Sequence, residues 1–148
     1  MSAKTSNNQL ELNIDAKLEN LSVIGDFIAT AMRQLGIEEG IFEVQVAVDE
    51  ACTNIIKYAY SYKAGIITIT CELQDNDFVI TIKDKGRSFD PASIPSPDLG
   101  ADLDHRKIGG LGIYMMRKLM DDVSYSFDAK EGNKLVMRKI LPGKKRMT

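Results

Sequence analysis

Residues 66–84 read IITITCELQDNDFVITIKD. Two apolar, β-branched runs, Ile66–Leu73 and Phe78–Lys83, flank Asp75-Asn76-Asp77. Short Asx side chains tolerate turn conformations, so the stretch is predicted to be a β-hairpin and sets an antiparallel pair inside the chain. Upstream, Leu10, Leu12 and Ile14 alternate with Glu11, Asn13 and Asp15, which predicts a strand with one buried face. From Leu18 the period changes. Leu18, Leu21, Ile24, Phe27, Ile28, Ala31, Met32 and Leu35 recur at three- and four-residue steps, the mark of an amphipathic helix that stops near Gly36. A second helix is predicted from Glu38 to Tyr60, with Phe42, Val46, Ala47 and Ile56 among its apolar positions.

Downstream of the hairpin, residues 85–109 carry three of the four prolines and no apolar period. A segment that long without periodicity is usually a functional loop or lid. Residues 113–120 look helical. Val123-Tyr125-Phe127 and Leu135-Met137 then alternate as a final hairpin around Glu131-Gly132-Asn133. The order β-α-α-β-β-loop-α-β-β lacks the βαβαβ alternation of a doubly wound parallel sheet. It predicts an α+β fold, a two-layer α/β sandwich of mostly antiparallel strands with helices on one face.

With 148 residues the chain suits one domain, expected over residues 9–141. Residues 1–8 are polar and expected to be a disordered N-terminus, and 142–148 a basic tail carrying Lys144-Lys145-Arg146. The net charge of −2 gives no support for a nucleic-acid or membrane surface. No apolar run suggests a signal peptide or a spanning helix. Cys52 and Cys71 lie in apolar segments and fit buried free thiols in a reducing compartment, so a cytoplasmic location is expected. His105 is the sole histidine and no CxxC pair exists, which argues against zinc.

Three short patterns carry chemistry. Glu50 and Asn54 stand four apart on the second predicted helix and so share one face. An Asn carbonyl can ligate Mg²⁺ and a carboxylate can accept a proton from a nucleophile, although the same pair also suits a plain solvent-facing helix. Asp84 ends an apolar strand and Gly86 follows. That is either a turn or a carboxylate at a pocket mouth, placed to accept a hydrogen bond from an exocyclic amine such as adenine N6, with Gly86 allowing close approach of the ring. Gly109-Gly110-Leu111-Gly112 precedes a helix and can cradle phosphate with its amides, or simply cap that helix. No Lys-Ser/Thr follows it, so it is not a Walker A loop.

In this order the patterns resemble the GHKL (histidine kinase-like) ATPase superfamily with its Bergerat fold. Within it the chain is most similar to the RsbW/SpoIIAB-type anti-sigma factor serine kinases. The resemblance rests on Val48–Tyr60, on Asp84-Lys85-Gly86-Arg87-Ser88-Phe89-Asp90-Pro91, and on Gly109–Tyr114 with Leu119-Met120-Asp121. It implies ATP and Mg²⁺ as cofactors, Asn54 as the metal ligand, Glu50 as the catalytic base and Asp84 with Gly86 at adenine. Phosphates would lie against Gly109, Gly110, Leu111 and Gly112. Lys57, one turn beyond Asn54, either approaches phosphate or is a solvent-facing lysine. Family members generally carry a second glycine where Ser88 stands, and this substitution resembles the RsbW branch more than the histidine kinases. The implied reaction is phosphoryl transfer to a serine of a STAS-domain anti-anti-sigma protein, with a sigma factor as the sequestered partner and a homodimer as the assembly. A competing reading is a non-catalytic, ATP-gated protein-binding module in a partner-switching pathway.

Overall fold

The hairpin predicted over residues 66–84 forms. In a computed structural model, which describes residues 2–6 by their backbone and residues 8–89 and 116–141 in full, strands β3 (Ile66–Gln74) and β4 (Asp77–Asp84) pair antiparallel from Ile67↔Asp84 to Gln74↔Asp77. The reversal takes two residues, Asp75 at φ 53° and Asn76 at φ 70°. Two successive left-handed residues match the right-handed strand twist, and Asx side chains adopt that region at low cost.

The remaining described elements are β1 (Ser2–Ser6), β2 (Gln9–Asp15), a 3₁₀ turn (Leu18–Asn20), α1 (Leu21–Gln34), α2 (Ile41–Asn54), a π-helical turn (Ile55–Ala59), β5 (Asp122–Asp128) and β6 (Gly132–Ile140). The six strands form one sheet in the order β1-β2-β3-β4-β6-β5, with every neighbouring pair antiparallel. This is the predicted α+β architecture. β4 therefore lies between β3 and β6, which brings Asp84 opposite both Ile67 and Asn133.

The core lies between this sheet and the two helices. Ile24, Ile28 and Met32 of α1 and Val44, Ala47, Val48 and Ala51 of α2 are buried together with Ile67, Ile69, Ile80, Ile82 and Met137 of the sheet. Each such Val, Ile or Met side chain contributes on the order of 1.5–3 kcal/mol by leaving water. Cys52 and Cys71 are buried free thiols, and burial pushes both up, Cys71 to about 12. No helix among the described residues is long and apolar enough to cross a membrane.

Four expectations change. Residues 1–8 were expected to be disordered, yet Ser2–Ser6 pairs with β2, with Ser6 opposite Gln9 and Asn8 at φ 58°. Ladder bonds come from the backbone, so polar side chains do not prevent a strand from covering the open edge of β2. The second helix begins at Ile41 rather than Glu38, because Gly40 at φ 81° interrupts the chain. Phe42 is then 72% exposed, since it stands about 200° round the helix from Val44 on the buried face. Finally, Gly132 and Asn133 belong to β6 and not to the turn, which spans residues 129–131 and is braced by Lys130 N–H donating to Asp128 Oδ1 at 2.7 Å.

Candidate nucleotide site

Asn54 closes α2, and the next five residues form a π-turn in which Tyr60 N–H donates to Ile55 O at 3.0 Å. Such turns add a residue to one helical turn and are frequent at functional sites. Here the widened turn meets the segment that leaves β4. Arg87 N–H donates to Ala59 O at 2.9 Å, Arg87 Nε to Tyr58 O at 3.0 Å, and Lys85 N–H to Tyr60 Oη at 2.8 Å. The approach is close enough that a Cβ on Gly86 would stand 2.6 Å from the Ala59 carbonyl carbon and oxygen. Glycine at 86 is thus demanded by the backbone of the helix end.

Asp84 is buried at 3% exposure. Its Oδ1 accepts from Gly86 N–H at 2.8 Å and from Asn133 Nδ2 at 2.8 Å. Burial raises its pKa, while the Asn133 and Gly86 hydrogen bonds pull it back down. Asn133, equally buried, also donates from Nδ2 to Arg87 O at 2.9 Å and accepts on Oδ1 from the Tyr125 hydroxyl. The sequence reading missed Asn133 by assigning it to a turn. Its signal was parity: Asn133 shares the two-residue register of Leu135 and Met137, an amide on an otherwise apolar face.

Asn54 is 2% exposed, and neither its Nδ2 nor its Oδ1 has a hydrogen-bond partner among the described residues. Leaving a buried amide unpaired costs about 1–3 kcal/mol, so native structures rarely tolerate it without a role. The amide lines a pocket between α2 and the sheet together with Ala51, Ile82, Asp84, Met116 and Asn133. An unused carbonyl oxygen in a pocket that a buried carboxylate also lines suits a hard cation and the nucleotide it accompanies. The donor set fits the implied groups.

Glu50 lies one helical turn before Asn54 and is half-buried. Burial raises its pKa most, the neighbouring Asp49 charge raises it further, and Lys57 opposes both. A carboxyl group held above its usual range is a better base once ionised. Lys57 is partly buried within the π-turn. Asn54 and Asp84 therefore line one pocket, and Gly86 is hydrogen-bonded to Asp84. Glu50 and Lys57 lie on the same helical segment as Asn54 but are not among the described residues that line the pocket. Gly109, Gly110, Leu111 and Gly112 lie outside the described residues, as does the tail over 142–148.

The chain is similar to known proteins. The family model described as histidine kinase-like ATPase domain matches residues 14–139. Serine-protein kinase RsbW of Bacillus cereus (strain G9842) is 33% identical over 138 residues, spanning 90% of this chain and 85% of its own length. The RsbW proteins of Bacillus anthracis and of Bacillus thuringiensis (strain Al Hakam) match over the same shares at 33% and 32% identity.

Proposed function

The chain belongs to the histidine kinase-like ATPase domain family, and on that premise we propose that it is an ATP-dependent protein-serine kinase, the activity for which its relatives are named. The observation that carries the assignment is the buried Asn54 amide, without a hydrogen-bond partner among the described residues, one turn beyond Glu50 and in the same pocket as Asp84. Mg²⁺-bound ATP supplies the transferable phosphoryl group and the positive charge that offsets it. Asn54 Oδ1 would ligate the ion, and Asp84, through the oxygen that Gly86 and Asn133 leave unused, would accept a hydrogen bond from the exocyclic amine of adenine. Glu50 would take the proton from the acceptor serine hydroxyl as its oxygen forms the new bond to the γ-phosphorus and the bond from that phosphorus to the β,γ-bridging oxygen breaks, with ADP as the leaving group. The amides of Gly109, Gly110, Leu111 and Gly112, with Lys57, hold the phosphates.

The acceptor is a STAS-domain anti-anti-sigma protein in the cytoplasm, and a sigma factor is the partner released and recaptured as the acceptor is phosphorylated. The kinase works as a homodimer. Incubation with γ-labelled ATP and candidate STAS-domain proteins tests this. Label on a partner serine is expected. ATP binding with no transfer to any STAS partner would refute the kinase assignment and leave a nucleotide-gated binding module.

A further inference from the structure

The hydroxyl of Tyr125 stands in the middle of a hydrogen-bond chain that ends on Asp84. Phe89 N–H donates to Tyr125 Oη at 3.3 Å, and the Tyr125 hydroxyl donates in turn to Asn133 Oδ1. Asn133 Nδ2 donates to Asp84 Oδ1 at 2.8 Å and to Arg87 O at 2.9 Å. A side-chain amide has two N–H donors and one carbonyl. Here both donors and the carbonyl are engaged. A flipped amide would set its oxygen against the Asp84 carboxylate and the Arg87 carbonyl, acceptor facing acceptor. The tyrosine ring is itself held by packing, its centroid 6.0 Å from that of Phe89, whose ring lies 6.0 Å from that of Tyr58. The hydroxyl is thus presented at a fixed place, and Asn133 is held at both ends. Among the described residues both donors to Asp84 fall on Oδ1, which leaves Oδ2 for a ligand.

We propose that Tyr125 is a positioning residue for recognition of the nucleotide base: acting through the Asn133 amide, its hydroxyl orients the Asp84 carboxylate to accept an exocyclic amine. This rests on the reading that Asp84 recognises that amine. A tyrosine on β5 thereby helps to set purine selectivity without bonding to the carboxylate.

Calorimetric affinities of the full chain for ATP and for purine riboside triphosphate, which lacks only the 6-amino group, test both layers. Wild type is expected to prefer ATP. Tyr125→Phe keeps the ring stack and is expected to lose about 3- to 10-fold in ATP affinity, the worth of one neutral hydrogen bond, with no change for purine riboside triphosphate. Asn133→Ala is expected to show the same selective loss at about 10- to 100-fold, because its bond to Asp84 is charge-assisted. The double variant should match Asn133→Ala alone, since the hydroxyl acts through the amide. No loss for ATP in Tyr125→Phe, or an equal loss for both nucleotides, overturns the positioning role. Additive losses in the double variant overturn the route through Asn133. A wild type indifferent to the amino group overturns the Asp84 reading and this inference with it. Should Asn133→Ala fail to fold, the two-nucleotide comparison on Tyr125→Phe still decides.

Discussion

Replacing Gly86 with alanine separates two roles for the same glycine. A Cβ at this position would lie 2.6 Å from the carbonyl carbon and oxygen of Ala59 and 2.7 Å from its Cβ. Ordinary carbon contacts begin near 3.5 Å, so about 1 Å of backbone movement is needed. Overpacking of this kind costs about 1–3 kcal/mol. The movement also strains the 2.9 Å bond from Arg87 N–H to Ala59 O, worth about 1 kcal/mol. The sum is about 2–4 kcal/mol, which for a domain of this size corresponds to a fall in Tm of about 5–15 °C. Thermal unfolding of the nucleotide-free protein by circular dichroism measures it. A Tm within about 1 °C of wild type, combined with weakened ATP binding, would refute the packing argument and leave close approach to the base as the only role of Gly86.

Other perturbations address the remaining groups. Asn54→Ala is expected to abolish Mg²⁺-dependent ATP binding by calorimetry while leaving the Tm of the nucleotide-free protein unchanged or higher, because it deletes an unpaired buried amide; a clear loss of apo stability would contradict this. Glu50→Gln should bind ATP normally but transfer phosphate more slowly by on the order of 10²–10⁴, and wild-type transfer in a labelled-ATP assay would remove Glu50 from the chemistry. For Asp84 the sign follows from its raised pKa: the folded state binds its proton more tightly than the unfolded chain. Its contribution is therefore fully present below about pH 4, the ordinary aspartate range, and is lost as pH rises through the folded value. Asp84→Asn should thus gain stability relative to wild type between about pH 4 and 7 in urea titrations of the apo protein. A difference independent of pH would show that Asp84 does not titrate across that window.

Much of this architecture is written in local patterns. The three- and four-residue apolar steps of α1, the two-residue steps of β2 and the Asp75-Asn76 reversal each follow from preferences spanning a few residues. They are enough to place Glu50 and Asn54 on one helix and Asp84 at a strand end. The same spacings leave Glu50/Asn54 open to a plain helix face and Asp84-Lys85-Gly86 open to a plain turn.

Tertiary structure decided the burial and the partners of these residues, because those partners are distant in sequence. Asp84 is held by Asn133, 49 residues away, and only the β4–β6 register brings them together. Gly86 is fixed by the end of the helix, 27 positions earlier, where the π-turn widens the backbone into its path. Burial of Asn54 without a partner depends on how α2 lies over the sheet, which no single segment encodes. Sequence alone thus determined which residue types stand in which element. Packing and register determined that Asn54, Asp84 and Asn133 are buried around one pocket, where an amide and a carboxylate acquire a value for binding that they do not have on an exposed face.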